Sequence, residues 1–362
     1  MEILKQHYFN TETIMEEVHQ QCEDLLLYCT FNSKKKNCNK MFNFIKTYEG
    51  HCCAFNYAAL NDGNMDEISY DDDIEYYSDP SNEGTSGIYV TSKSGRGSGL
   101  SVVLNVEPSD YPEWSLTPYN GAKILLNDPT DYPEITVLYK YVVLGQSLDI
   151  KVEPRIFQSD DDIRLVPLEK RNCAFHDEFL LQHTDRFSSE TCKTECKMKN
   201  YADQCGCVPY KYPKDKALRI CDFGDLECLN NLRARDIDWE KDCTPICYIE
   251  CRDKRYSITS DVMPLLADFY PRNITLGHNI SELSSLQVYF AKSTCNCFKN
   301  MLLIDFNYFI ANYGGVFSLC FGVSIITLFE VIYSFLFSVL GTSCNYVKNT
   351  NKTIAKYDVE NE

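Results

Sequence analysis

The pattern of apolar and polar residues changes several times along this 362-residue chain. Near the start, apolar residues recur every three or four positions, from Ile14 through Val18 and Cys22 to Cys29. This spacing is typical of a helix with one buried face. Residues 56–87 are acidic and have no such period, so they predict a long loop or a small insertion.

Four later stretches carry strand patterns. Residues 99–106, 148–152 and 285–291 alternate between apolar and polar side chains, and residues 135–144 are rich in Val, Tyr and Leu. The stretch 285–291 leads through a connector, residues 292–308, to the most apolar part of the chain. Helices and strands therefore both contribute, which predicts an α+β fold.

A long apolar run, residues 312–340, lies near the C-terminus. From Tyr313 to Leu340 the only charged residue is Glu330. This run exceeds the roughly 20 apolar residues that a helix needs to cross a bilayer. It predicts one continuous transmembrane helix.

Two interpretations fit this run. Small residues in Gly322-Val323-Ser324 let backbones approach closely, and a continuous helix is expected to place Glu330 near the same face, which is typical of a pore wall. Alternatively, the run is a single-pass anchor whose glycines pack against a neighbouring helix and whose glutamate extends toward the headgroups.

The chain contains 19 cysteines, which predicts a disulfide framework formed in an oxidising compartment. Zinc binding is less favoured, because the chain has only six histidines and the cysteine-rich segment from Cys173 to Cys251 lacks a Cys-x2-Cys knuckle. Two acceptor triplets for N-glycosylation, at Asn273 and Asn279, agree with an extracellular or lumenal location. Ten cysteines form a dense cluster: Cys173, Cys192, Cys196, Cys205, Cys207, Cys221, Cys228, Cys243, Cys247 and Cys251.

The net charge of −17 argues against nucleic acid and anionic lipid surfaces as partners. Acidic runs at 71–73 and 160–162 could concentrate cations near a pore or could simply keep loops solvated. The first residues lack the apolar core of a signal peptide. Either the C-terminal run inserts alone, or, as we expect, an N-terminal membrane segment is missing.

Several motifs, in this order, resemble the degenerin and epithelial sodium channel family, and within it the insect pickpocket-type subunits. They are the segment from Gly50 to Asn56, Gly99-Leu100, Arg171-x-Cys173-x-Phe175 with Glu178, Cys205-Gly206-Cys207-Val208-Pro209, the segment from Asp242 to Cys247, and the Gly-Gly and Gly-x-Ser elements of residues 312–333. Positions 318 and 320, Ser and Cys here, depart from the family pattern.

The resemblance implies a trimeric, amiloride-sensitive sodium channel of the plasma membrane, with an extracellular, disulfide-rich domain and a cytoplasmic C-terminus. Gly322, Val323 and Ser324 would form the selectivity constriction, and Glu330 would line the inner pore. The partners of the chain would be two further subunits, the bilayer and an unknown gating ligand. The chain would need no cofactor besides the conducted Na⁺. The gate region would comprise Ala311, Asn312, Gly314 and Gly315, with a small side chain required at Ala311.

The resemblance also implies a division of the chain, with the family's first transmembrane helix absent. The parts would be finger and upper palm (1–98), palm and β-ball (99–172), cysteine-rich thumb (173–260), lower palm and connector (261–308), pore-lining helix (309–341) and cytoplasmic tail (342–362). A single-pass, disulfide-rich receptor or adhesion protein is the alternative. An enzyme is the weakest interpretation, because Ser324 lacks the second glycine of a nucleophile elbow.

The cysteine count also predicts an unpaired thiol. Cys320 lies in the apolar run and Cys344 just beyond it, which leaves 17 cysteines for the extracellular domain. An odd number cannot pair internally, so we expect Cys52 or its neighbour Cys53 to be free or to form an intermolecular bridge.

Overall fold

The computed structural model describes residues 10–58, 88–111, 119–184, 186–214, 217–234, 243, 246–266, 272–275, 277–303, 306–322 and 324–338. The chain divides into two compact units, Met1–Asn300 and Met301–Glu362. Most of the predicted acidic loop, Val323, Cys344 and the predicted cytoplasmic tail lie outside the described residues.

The strands all belong to the larger unit. They are β1 Leu26–Phe31, β2 Lys34–Lys36, β3 Phe42–Thr47, β4 Gly50–Phe55, β5 Leu100–Asn105, β6 Gly121–Leu126, β7 Leu138–Val143, β8 Gln146–Ser159, β9 Cys173–Ala174, β10 Ile249–Glu250, β11 Asp253–Pro264, β12 Leu283–Phe290 and β13 Asn296–Asn300.

The helices are mostly short outside residues 189–205 and the C-terminal unit. They are α1 Thr11–Val18, α2 Cys22–Leu25, α3 Cys38–Met41, α4 Leu168–Arg171, α5 Ser189–Cys205, α6 Leu226–Ala234, α7 Arg272–Thr275, α8 Phe306–Phe321 and α9 Ile325–Ser338, with 3₁₀ turns at Pro108–Asp110, Asp161–Leu165 and Ile280–Glu282.

A mixed sheet in the order β11-β8-β12-β5-β1-β2 forms the centre of the larger unit, and β13 also pairs with β8. Strand β8 is the longest of its strands. On one side it pairs antiparallel with β11 along its length, and on the other it pairs parallel with β12 and then with β13. Smaller two-stranded sheets form between β3 and β4, between β6 and β7, and between β9 and β10.

The main core covers one face of this sheet. Val102 and Leu104 of β5, Leu148 and Ile150 of β8, and Leu286 of β12 are all buried in it. Their period of two is the strand signal in the sequence, and each fully buried aliphatic side chain contributes about 1.5–3 kcal/mol. The predicted α+β fold is confirmed.

Disulfides fasten the remaining segments to this core, and seven of them join cysteines in the described part of the chain. They are Cys22–Cys53, Cys29–Cys38, Cys173–Cys251, Cys192–Cys247, Cys196–Cys243, Cys205–Cys228 and Cys207–Cys221. All ten cysteines of the predicted thumb cluster are therefore paired.

Two segments differ from the sequence prediction. The helical period suggested from Ile14 to Cys29 is interrupted after Val18 and ends with the short helix α2 at Leu25. Cys29 lies in β1, where pairing with β5 and the bond to Cys38 determine its conformation. The predicted connector 292–308 contains β13, which extends the sheet along β8.

The C-terminal unit corrects the prediction of one continuous helix. Helix α8 ends at Phe321, and α9 begins at Ile325. Among the described residues, neither helix alone is long and apolar enough to cross a bilayer, whereas the two together meet both requirements and are bent by 81°.

Candidate functional site

The break between α8 and α9 coincides with the Gly-x-Ser segment. Gly322 has φ +64°, a left-handed conformation that costs an L-residue about 1–2 kcal/mol. Its N–H donates to the carbonyl of Ser318 at 2.9 Å, which closes the last turn of α8. Gly322 therefore stops α8 as a glycine C-cap does.

Ser324 begins the second helix. Its Oγ accepts a hydrogen bond from the N–H of Thr327 at 3.2 Å and lies 3.0 Å from the Thr327 Oγ1, while its carbonyl accepts from the N–H of Leu328 at 3.1 Å. These contacts are those of an N-cap serine. The predicted constriction residues Gly322 and Ser324 thus lie at the end of one helix and the start of the next, and Val323 between them lies outside the described residues.

The break leaves the last backbone carbonyls of α8 at its edge. The last carbonyls of a helix have no partner within it, and the helix dipole makes that end partly negative. The C-terminal end of α8 can therefore offer carbonyl oxygens to a small cation, as pore constrictions do.

Glu330 does not share a face with Ser324 as predicted. Six residues at about 100° each place the two about 120° apart around an ideal helix axis, and the chain is bent between α8 and α9. Glu330 is exposed on α9, one and a half turns beyond the break.

The predicted gate residues lie within α8. Ala311, Asn312, Gly314 and Gly315 are all exposed in regular helix. A Cβ built on either glycine would meet no atom within 4 Å among the described residues. Each glycine costs a helix about 1 kcal/mol relative to alanine. Because neither glycine has a side chain, this part of the helix surface is suited to close packing by another helix.

Large apolar side chains cover the rest of both helices. Phe309 and Tyr313 are in ring contact one turn apart on α8, as are Tyr333 and Phe337 on α9. Leu319 and Phe321 are 88% and 72% exposed. An exposed apolar surface of this extent indicates a surface that meets lipid or other protein.

Helix α5 carries Cys192, Cys196 and Cys205 of the predicted thumb cluster. Ser188 caps this helix, accepting from the N–H of Thr191, and Gly206 ends it with φ +68°. Cys192 and Cys196, one turn apart, reach Cys247 and Cys243, as expected for cysteines on one helix face.

One group of potential metal ligands falls inside this framework. Cys207, Cys221 and Asp225 lie close together, but the two sulfurs are joined in a disulfide and offer no thiolate. The Asp225 carboxylate is already paired with Arg219 at 2.8 Å. This group therefore does not fit a metal ion.

The predicted glycosylation residues are both exposed. Asn273 lies in the short helix α7, and Asn279 precedes a 3₁₀ turn whose Ser281 N–H donates to its Oδ1. This hydrogen bond occupies the oxygen of Asn279 and not the nitrogen to which a sugar would be attached.

Sequence reasoning missed a buried carboxyl cluster between the loop after β6, the start of α5 and β10. Burial, and then the neighbouring Asp128, raises the pKa of Asp131 to about 7. Burial, and then Asp131, raises the pKa of Glu250 to about 8. Asp131 accepts from Ser188 Oγ at 2.7 Å, and Glu250 accepts from the Ser189 N–H at 3.1 Å. Only the tertiary fold brings these acids together, so no local pattern signals them.

Comparison with known proteins agrees with the motifs. The family model described as "Amiloride-sensitive sodium channel" matches residues 2–334. Among curated relatives, pickpocket protein 28 of Drosophila melanogaster is 27% identical over 89% of this chain and 57% of its own length. Sodium channel protein Nach of the same organism is 25% identical over 91% of this chain and 61% of its own.

A vertebrate relative matches as well. The epithelial sodium channel subunit gamma of Neoceratodus forsteri is 20% identical over 91% of this chain and 48% of its own length. The chain thus spans about three fifths, or less, of these relatives. It belongs to the amiloride-sensitive sodium channel family, the degenerin and epithelial sodium channel family, as an insect pickpocket-type member.

Proposed function

We propose that this chain is a subunit of a sodium channel of the plasma membrane, with α8 and α9 lining the pore. The observation that carries the proposal is the capped break at Gly322 and Ser324 between two apolar helices. Irregular backbone at membrane depth is tolerated where it is buried in protein or lines a water-filled path. The matched family and the names of the relatives are consistent with sodium conduction.

The proposed conduction step replaces part of the hydration shell of a cation. Carbonyl oxygens at the end of α8, together with the Ser324 hydroxyl, would surround a partly dehydrated Na⁺, and the lack of a side chain at Gly322 would leave room for it. The negative charge of Glu330 would lower the energy of the cation in the inner pore. A carboxylate placed there beside water is far less costly than one in lipid. No further cofactor takes part.

Three subunits around one axis would complete this pore, in either a homotrimer or a heterotrimer. The open glycine surface of α8, at Gly314 and Gly315, is the surface that we assign to contact with a neighbouring helix. Ala311, one turn earlier, would keep the gate narrow enough to close. The cysteine-rich unit would lie outside the cell and receive the gating ligand, and the C-terminus would lie in the cytoplasm.

Electrical recording tests the proposal. We would co-express the chain with a pickpocket relative in oocytes and measure sodium current, its block by amiloride, and the sodium over potassium preference. Gly322→Leu and Ser324→Leu are expected to abolish the current or change that preference. Ser338→Leu, at the far end of α9, serves as the matched control and should conduct normally.

Two results would refute the proposal. One is the absence of a sodium current that depends on this chain in any combination with a relative. The other is an unchanged ion preference in Gly322→Leu and Ser324→Leu channels that reach the cell surface. A chain that reaches the surface and binds a soluble ligand without current would favour a receptor instead.

A further inference from the structure

Two exposed thiols near the end of the larger unit have no partner within the chain. Cys295 directly precedes β13, and Cys297 lies within it; both are exposed and unpaired. Seven disulfides hold the other cysteines that the structure describes in this unit, except Cys52. Cys52 is only partly exposed, and its Sγ lies 3.3 Å from Thr47 Oγ1. In an oxidising compartment, Cys295 and Cys297 are therefore the thiols of this unit that another chain can best reach.

Strand β13 is open on both faces and along one edge. All five of its side chains are exposed, and the large apolar Phe298 among them is 48% exposed. The strand pairs with β8 along one edge, and among the described residues no backbone hydrogen bond reaches its other edge. An unpaired edge beside exposed apolar surface is a place where another chain can pack. The two thiols therefore lie on a surface suited to a neighbouring chain.

The number of these thiols fits a closed ring of three identical subunits. In such a ring each subunit meets its two neighbours through two different surfaces. One cysteine per chain could bond only one neighbour, which would leave one thiol in three unpaired. Two cysteines per chain can link every subunit to both neighbours, if Cys295 of each bonds to Cys297 of the next.

The support for Cys297 is firm, and its open edge admits a second chain. Five register pairs hold β13 on β8, and Phe298 stacks on Phe157 with ring centroids 5.1 Å apart. A disulfide requires Cα atoms about 4.4–6.8 Å apart. Neighbouring extended segments lie about 4.7–4.9 Å apart, so a chain that packs along the open edge comes within this range.

We propose that a disulfide joins Cys295 of one subunit to Cys297 of the next, so that three such bonds close a covalent ring. Each bond forms from two thiols, which together lose two electrons and two protons. A thiol oxidoreductase of the secretory pathway, in its disulfide form, accepts them through a mixed disulfide and leaves as a dithiol. The ring depends on the trimer proposed above but not on ion conduction.

Electrophoresis without reducing agent tests this bond on the full-length chain, expressed alone in insect cells and alkylated with a maleimide at lysis. We expect the unmodified chain to migrate as a covalent trimer and, after dithiothreitol, as a single chain. Cys295→Ser and Cys297→Ser should each give single chains only, because each substitution removes one half of every bond. Cys52→Ser is the matched control and should remain a covalent trimer.

Co-expression of the two single variants with different tags tests which sulfurs pair. Together the variants keep one Cys295 and one Cys297, so we expect covalent dimers that carry both tags; their recovery also shows that each variant folds. Dimers that carry one tag would overturn the proposal, because they would join like cysteines.

The unmodified chain supplies the remaining outcomes. A Cys295–Cys297 bond within one chain, found by mass spectrometry, would overturn the proposal. Single chains that an amine cross-linker still joins as trimers would also overturn it and would leave the proposed channel standing. Single chains that the cross-linker does not join would overturn both the ring and the proposed trimer.

Discussion

Gly99 lies at the point where β5 meets β12, and its replacement by alanine tests the packing of the central sheet. A Cβ at this position would lie 2.0 Å from the carbonyl oxygen of Val288 and 3.0 Å from the Cα of Tyr289. Both obstacles are backbone of β12, so no side chain can rotate away. A carbon and an oxygen ordinarily approach to about 3.3 Å, which requires the strands to separate locally by about 1 Å.

The cost of this separation can be worked from the ladder. Overpacking alone costs about 1–3 kcal/mol. The end of the β5–β12 pair, near Leu100 and Val288, would also lose one or two hydrogen bonds at about 0.5–1.5 kcal/mol each. We therefore expect Gly99→Ala to lower the free energy of unfolding by about 1.5–6 kcal/mol.

Thermal unfolding followed by circular dichroism measures this effect. At about 2 °C per kcal/mol for a large domain, Gly99→Ala should unfold roughly 3–12 °C earlier than the unmodified chain. Gly206→Ala is the matched control, because its Cβ would meet nothing within 4 Å and only the φ of +68° is strained, at about 1–2 kcal/mol. A Gly99→Ala midpoint equal to or above that of Gly206→Ala would refute the reasoning.

Three further predictions concern the same unit. The pKa values of Asp131 and Glu250 are raised to about 7 and about 8, so between about pH 4 and 8 the folded chain keeps protons that the unfolded chain loses. The free energy of unfolding should therefore fall by several kcal/mol as the pH rises through this range, at about 1.4 kcal/mol per pKa unit. Above pH 6.5 the partly exposed His19 and the buried His51, whose pKa values are lowered by burial, no longer oppose this trend, so melting between pH 6.5 and 9 should show it. Asp131→Asn should flatten the curve, and Asp177→Asn should not. A flat curve for the unmodified chain would contradict the assignment. Replacing Cys196 and Cys243 by serine leaves the Cys192–Cys247 disulfide intact, four residues away along each strand of the chain. Because only this short loop is released, the free energy of unfolding in urea should fall by only about 2.5 kcal/mol. A fall of more than about 4 kcal/mol would show that packing rather than chain entropy dominates. Ser188→Ala removes the cap of α5, at about 1 kcal/mol, and also the hydrogen bond to Asp131, at about 0.5–1.5 kcal/mol, by the same measurement. Ser189→Ala removes neither contact and is the control; equal losses would argue against both contributions.

The sequence predicted those elements whose side chains face a single core. Residues 99–106 and 285–291 alternate because one face of β5 and of β12 is buried, and both strands were located within a few residues. Cys192 and Cys196 could be placed on one helix face by their spacing alone. Their partners could not be assigned, because Cys243 and Cys247 are brought there by a chain path that no local pattern specifies.

The failures also have physical causes. Hydropathy is the same on both sides of Gly322, so an apolar run could not reveal that the helix stops there; the left-handed φ and the Ser324 cap determine it. No hydrophobic pattern marks β13 as a strand, because all of its side chains are exposed and its pairing with β8 depends on backbone hydrogen bonds. The roles predicted for Glu330 and the gate residues stay predictions.

Strand β13 also has a mechanical consequence. It runs parallel to β8 over five register pairs, and β8 is held on its other side by twelve pairs with β11. A pull on Asn300 along the strand direction would load the β13 hydrogen bonds together in shear, whereas a hairpin pulled at its open end separates one bond at a time. Force on the chain beyond Asn300 is therefore carried into β8, and through its pairs with β11 into the sheet, until the β13 hydrogen bonds break together.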